Sequence, residues 1–315
     1  MQSTDADLFH PFSKRLVLAV GALLLLAAGT ASAQNNAQNS VQSAPLGLVT
    51  LLDGEADLLR DSGRYALAEG VALRRDDIIE TGAKGRLLLL EFSDGSSLAL
   101  GPASKVQMGP RLAAERGKFE PRIYLLQGWA KVTAAKGSPW ALNSGAFDVN
   151  GLTQAAVVAV LGNGAQIFVE AGELNLLPTL GAGPPQRLGS AEFLAWSGVG
   201  KAEFTRRPPP SFAQNMPRAF QDKLPSRAAM FQGKDIKPKR LADLAYADVQ
   251  PWLSAEAALR KANLPRWKPL ARLPEFRKGL LAGMKAHPEW AQVLLPAAAG
   301  PASQAAPALA SPASY

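Results

Sequence analysis

The sequence predicts a mainly β protein: a solenoid-like or sandwich-like β domain over residues 46–204, then a small, basic helical module over residues 239–295. Three observations carry this. The first is a hairpin signature between Ile78 and Val106. An apolar run, Leu87 to Phe92, meets a turn at Asp94-Gly95, and the next strand carries Leu98 and Leu100 on one face. Asp-Gly favours such turns because the central residues need positive φ, which Gly and Asp tolerate best. The second is glycine punctuation: Gly54, Gly70, Gly82, Gly95, Gly128, Gly151 and Gly172 separate short apolar runs, as in many-stranded β folds. The third is the loss of that texture after Phe204, where Arg206-Arg207-Pro208-Pro209-Pro210 gives way to helical periodicity.

Within the β region a weak echo recurs. Leu52 to Leu58, Leu126 to Val132 and Glu170 to Leu176 each place a Gly at a turn before a strand that alternates apolar with polar residues. Such strands should bury one face and show water the other. The echo is too irregular for a regular solenoid but fits β-coils stacked with similar corners.

The flanks read differently. Residues 1–33 have the form of a secretion signal: Lys14 and Arg15 precede an uncharged apolar stretch from Leu16 to Ala28, and Ala31-Ser32-Ala33 offers the small residues a signal peptidase needs. The apolar stretch is shorter than the roughly twenty residues a spanning helix needs. Cleavage after Ala33 and a periplasmic location are therefore expected, with membrane attachment only if the signal is retained. Residues 34–45, rich in Gln, Asn and Ser, read as a flexible leader.

Residues 205–238 read as a Pro-rich basic linker. Its three consecutive prolines lack backbone donors and should hold an extended spacer that cannot join a sheet. Beyond it, Lys239 to Tyr246 places Leu241, Leu244 and Ala245 on one helical face, and Ser254 can cap a short helix through Leu259. Pro274 can open a helix striped by Phe276, Leu280 and Met284, and Pro288 a last one carrying Trp290, Val293 and Leu294. The module should pack on the β domain or wrap along it. Residues 296–315, uncharged and rich in Ala, Pro and Ser, read as a disordered tail.

The inventory of reactive residues is short. There is no cysteine, and after residue 33 His287 is the sole histidine, which removes Cys-His catalysis, the usual Ser-His-Asp triad and nearly every zinc site. His287, before Pro288, reads as a turn or capping residue. No cofactor is expected, because Gly162-Asn163-Gly164 lacks the strand-to-helix context of a phosphate loop and reads as a hairpin turn. Carboxylates are the remaining route to catalysis, with Asp53, Glu55, Asp57 and the Asp76-Asp77 pair as candidates. A glycosidase would need two of them facing each other across a cleft. The predicted strand and turn positions do not suggest that, so no catalytic or metal-binding residue is assigned.

Charge separates the two parts. Residues 34–204 hold 15 Lys and Arg against 17 Asp and Glu, whereas residues 205–315 hold 17 against 7, a net of +10. Behind a secretion signal, that positive field would meet envelope polymers, anionic lipids or acidic proteins rather than nucleic acid. Trp252, Trp267 and Trp290 lie in this part beside Pro or cations, as in Arg266-Trp267-Lys268. Aromatics interleaved with cations can anchor a partner, so Trp252, Trp267, Trp290, Arg266 and Lys268 are candidate partner-binding residues; bulk core is the other role open to the tryptophans.

From residue 47 to about 173 the chain resembles the FecR-type periplasmic domain. The resemblance rests on Gly54, Gly70, Leu73, Asp77, Ile78, Thr81, Gly82, Phe92, Asp94, Gly95, Ser96, Leu98, Leu100, Ser104 and Val106, then Gly128 before an alternating strand. Thr81-Gly82 and Asp94-Gly95-Ser96 are read as its structural turns. The pattern departs at Val160-Leu161-Gly162-Asn163, where many members carry Val-Arg-Gly-Thr. The best-known members are transmembrane regulators relaying a signal to a cytoplasmic sigma factor. With fifteen residues before the apolar segment, a sigma-binding domain is not expected here. The resemblance implies a non-enzymatic periplasmic binding or scaffold module that contacts envelope proteins or peptidoglycan. An accessory role in periplasmic signalling and an envelope glycan hydrolase are the alternatives.

Overall fold

The computed structural model describes residues 45–112, 120–179 and 184–295. The expected secretion signal, nearly all of the leader and the tail lie outside these residues. Among the described residues no helix is long and apolar enough to cross a membrane.

The β region contains β1 (Gly47–Asp53), β2 (Ala56–Arg60), β3 (Gly63–Ala66), β4 (Ala72–Leu73), β5 (Ile78–Thr81), β6 (Leu87–Glu91), β7 (Ser97–Leu100), β8 (Lys105–Met108) and β9 (Ile123–Thr133). It continues through β10 (Trp140–Ser144), β11 (Phe147–Leu152), β12 (Ala155–Leu161), β13 (Gly164–Ala171), β14 (Glu173–Pro178), β15 (Gln186–Gly189), β16 (Phe193–Trp196) and β17 (Glu203–Thr205). The C-terminal third adds α1 (Pro210–Asn215), β18 (Lys239–Asp243), α2 (Tyr246–Leu253), α3 (Ala257–Trp267), α4 (Pro274–Ala282) and α5 (Ala291–Leu294). This is the mainly β fold with small C-terminal helices that the sequence predicts.

The strands form one continuous sheet curled into a sandwich. One layer runs β4-β1-β6-β7-β9-β12-β13-β16-β17. The other runs β18-β3-β2-β5-β8-β9-β10-β11-β14-β15. All these pairs are antiparallel except β9–β10. The long strand β9 belongs to both layers and changes layer at Gly128, the kind of corner by which one strand serves two sheets. The main core, with Leu58, Leu90, Leu100, Ile123 and Trp140, lies between the layers.

The three echoed glycines all mark such layer changes. Gly54 lies between β1 and β2, Gly128 within β9, and Gly172 between β13 and β14, with φ of 120°, 95° and 79°. Neighbouring corners touch: a Cβ on Gly54 would sit 2.5 Å from Gly85 Cα, and one on Gly128 only 2.4 Å from Ser104 Cα. The stacked-corner expectation thus takes the form of a sandwich edge.

Burial alternates where the echo predicts it, with Ala56 and Leu58 buried in β2 and Leu174 and Leu176 in β14. β7 and β13 alternate, but Leu87 to Leu90 in β6 and Ala156 to Val160 in β12 are buried without interruption. Both faces of these strands are covered because the C-terminal third wraps the sandwich. Residues 205–238 are therefore not a spacer. Pro209 is extended, as a residue before proline should be, but Pro210 opens α1, where a missing N–H costs nothing. Phe212 then packs on Trp129, Phe168 and Phe193 at ring distances of 5.4, 6.2 and 4.9 Å. Phe220 is buried on the same outer face, and the Lys131 ammonium donates to the Phe220 carbonyl at 2.6 Å.

Two helix expectations also change. Residues Lys239–Asp243 form β18 rather than a helix, because the edge of β3 offers backbone partners in register, Arg240 opposite Tyr65. Leu241 consequently stands exposed. Ser254 ends α2 instead of starting a helix, its N–H bonded to the Gln250 carbonyl at 2.9 Å, and the next helix begins at Ala257.

The glycines separate two costs. Gly95 has φ of 83° but nothing closer than Ala135 Cβ at 3.8 Å, so Gly95→Ala should cost only the strain, about 1 kcal/mol. Gly128→Ala meets backbone as well and should cost at least about 3 kcal/mol. Urea unfolding of the two variants measures the difference; equal losses would place the Gly128 corner wrongly.

Candidate functional site

The Asp94 turn is a small network. The Asp94 carboxylate accepts the Ser96 N–H at 3.0 Å and its hydroxyl at 3.1 Å, and pairs with Arg122 at 2.6 Å. Burial alone would raise this carboxyl. The bonds from Arg122, Ser138 and Ser96 outweigh it and hold the acid far below the usual carboxylate range. Ser96 Oγ also accepts the Ala135 N–H at 2.9 Å, fastening the hairpin to the loop after β9. The Thr81-Gly82 turn works in the column of corners. Thr81 Oγ1 donates to Gly101 O at 2.7 Å and accepts the Ser104 N–H at 2.8 Å, while the Gly82 N–H bonds Glu55 O at 2.8 Å. Ser104 Oγ in turn accepts the Trp129 N–H at 2.9 Å. Thr81, Gly82 and Ser104 thus tie corner to corner, while Asp94 and Ser96 hold the hairpin tip.

The tryptophans are placed differently from the partner-binding expectation. Trp252, Trp267 and Trp290 are each 0% exposed and form the centre of a second core with Leu59, Ile78 and Tyr124 from the β layer. They cannot meet a partner; a module this small uses them as bulk, since one indole buries as much as two aliphatic side chains. Trp252 Nε1 donates to Glu80 Oε1 at 3.0 Å. Arg266 is turned inward as well, donating to the Leu59 carbonyl at 2.9 Å and to the Asp76 carbonyl, with its guanidinium 5.5 Å from the Trp267 ring centre. Of the five, Lys268 alone is exposed.

Between α3 and β8 lies the contact that sequence reasoning missed. Gln107 and Asn263, 1% and 2% exposed, exchange reciprocal amide hydrogen bonds of 3.0 and 2.9 Å across 156 residues of chain. A hydrophilic residue at a core position of a helix was the available signal. Arg64 pairs with Asp248 at 3.2 Å and the Leu244 N–H bonds Ser62 O at 2.9 Å, closing the rim of this contact. The module is thus fixed rather than tethered.

Of the candidate carboxylates, Glu55 is exposed and the other four are engaged in pairs. Asp77, 2% exposed, holds Arg60 at 2.6 and 2.9 Å and accepts the Arg74 N–H at 2.7 Å. Asp76 pairs with Arg111 at 3.1 Å, Asp57 with Arg64 at 3.4 Å, and Asp53 with Arg86. Among the described residues no group of three metal-ligating side chains converges.

What faces outward from the module is cationic. Lys268, Arg272, Lys278 and Lys285 are exposed, and among the described residues none pairs with an acid. Residues 268–285 contain five cations against one acid, Glu275.

No protein-family model matches the chain, and no curated protein matches it in sequence. Two crystal structures of a protein from Parabacteroides distasonis, provisionally described as an anti-sigma factor, are similar in part. They are 14% and 15% identical with TM-scores of 0.35 and 0.34, each covering 41% of this chain and 59% of that chain. This chain thus spans less than two thirds of their length, and at that identity and overlap the likeness transfers no activity or partner.

The amide pair gives a double-mutant cycle. Asn263→Leu alone should cost about 1 to 3 kcal/mol by orphaning the Gln107 amide, and adding Gln107→Leu should recover most of it. Additive losses in chemical denaturation would show that the amides are not paired.

His287 gives a pH dependence. The ring is buried, with Nε2 3.1 Å from the Tyr246 hydroxyl, and burial lowers its pKa below the ordinary value. The unfolded chain therefore binds the proton first, and stability should fall as pH drops below about 6.5. His287→Gln should flatten the melting temperature between about pH 7 and 5; an unchanged slope would assign the dependence elsewhere.

Proposed function

We propose that this is a non-enzymatic binding or scaffold protein of the Gram-negative periplasm, built on a FecR-like β unit and contacting envelope proteins or the cell wall. The observation that carries the reading is the outward cationic surface of a helical module clamped rigidly to the sandwich. Lys268, Arg272, Lys278 and Lys285 have no acidic partner among the described residues, so their field is available to an anionic partner. The FecR-type turn residues support the module assignment by holding the corners of the sandwich together. An accessory place in periplasmic signalling is the form of this reading that the motif resemblance favours.

Removing everything after Phe204 would bare two apolar faces, so surface substitution is the sounder test. Purified protein, unaltered and with all four cations changed to Gln, is incubated with cell-wall sacculi and with periplasmic extract. The unaltered protein should be retained at about 0.1 M salt and released toward 1 M, where the Debye length falls from about 10 to 3 Å. The substituted protein should not be retained. Equal retention of both forms, or none of either, would remove the cationic surface from the function.

A further inference from the structure

The exposed face of α4 is not only charged. Leu273 and Leu281 are 47% and 45% exposed, and Leu295 is 57% exposed. Leu273, Arg277 and Leu281 follow one another at intervals of four, so they share one side of the helix. The Arg277 N–H bonds the Leu273 carbonyl at 2.9 Å, which confirms the turn at its start. Arg277 Nη2 reaches the Leu294 carbonyl at 2.7 Å and so brings Leu295 beside this stripe. Lys278 lies one residue from Arg277 and three from Leu281, Arg272 precedes Leu273, and Lys285 follows the helix end. Three leucines thus stand exposed with exposed cations around them, while the helix buries the neighbouring row of Phe276 and Leu280.

We propose that this face docks on an anionic phospholipid surface, the leucines entering among the headgroups and Arg272, Lys278 and Lys285 meeting the phosphates. The inference rests on the reading that the helical module is the contact face, and it names the partner. An amphipathic helix lying in an interface has this composition, with apolar residues on one face and Lys or Arg beside them. The other flank of α4 fits an anionic partner less well. It borders a shallow groove of about 580 Å³ lined by Tyr246, Phe276 and Gly279, with Leu273 and Lys278 on its border and the acids Asp243 and Glu275 beside them. A groove would suit a peptide; Leu281 and Leu295 lie outside it and suit a flat surface.

Vesicle flotation tests this with the protein isolated after expression of the full chain, its N-terminus determined so that a retained signal is detected. The vesicles are phosphatidylcholine alone, or equal parts phosphatidylcholine and phosphatidylglycerol. Binding is expected to the mixed vesicles and not to the neutral ones. Lys278→Gln with Lys285→Gln should weaken it about twentyfold, near fivefold for each cation. Leu273→Ser with Leu281→Ser should weaken it by a similar factor and leave the melting temperature unchanged, since both side chains are already half in water. Equal flotation with both vesicle types, or leucine and lysine variants that float like the parent, would overturn the proposal. Absence of flotation together with salt-sensitive retention on sacculi or extract would overturn the lipid assignment and leave the binding-protein reading standing. Absence of both would overturn the two together.

Discussion

A β-sandwich whose strands are apolar on both faces cannot stand alone in water, and this constraint organises the rest of the molecule. β6 and β12 bury every residue from Leu87 to Leu90 and from Ala156 to Val160. Continuous apolar strands of this kind need covering layers on both sides. The C-terminal third supplies them. Phe212 and Phe220 close one outer face, and the helices around Trp252, Trp267 and Trp290 close the other. Hydrophobic burial gives this cover its strength but not its orientation. The Gln107–Asn263 amide pair and the Arg266 guanidinium supply that, because each satisfies buried polar groups in one docking geometry.

The sandwich itself is organised by its corners. Gly54, the Gly82 to Gly85 segment, Ser104 and Gly128 pack into a column in which backbone and hydroxyl groups bond from one layer change to the next. This gives the Thr81-Gly82 turn a physical role: a threonine hydroxyl can donate to one neighbour and accept from another, and a glycine permits the close approach. The Asp94 turn fastens the hairpin tip in the same manner, through a carboxylate saturated with donors.

Much of this was legible in the sequence. The hairpin turn, the three corner glycines and the helix opened by Pro274 follow from local chemistry that tertiary contacts reinforce. The misreadings share one cause, which is contact between distant segments. The Lys239–Asp243 stretch has helical periodicity, yet an open edge at β3 recruits it as a strand. The proline run reads as a spacer because the apolar face that Phe212 covers is assembled from β9, β13 and β16, far apart in sequence. The cation-flanked tryptophans read as a docking surface because sequence shows their neighbours and not which way they face. Asn263 drew no attention, since its partner lies 156 residues away. The buried stripe of α4 was legible by contrast: Phe276 and Leu280 fill the core places that their spacing assigns, which leaves Leu273 and Leu281 exposed.

The central claim is that residues 45–295 fold as one unit with the helical layer as an integral face of the sandwich. Native-state amide hydrogen exchange tests it most directly. The account predicts that slow amides in α3 and α4 and those in β9 and β12 exchange through the same global opening, with equal free energies and equal denaturant dependence. Helical amides that exchange through a smaller, separate opening while the strands stay protected would contradict it, and would return the C-terminal third to a tethered module.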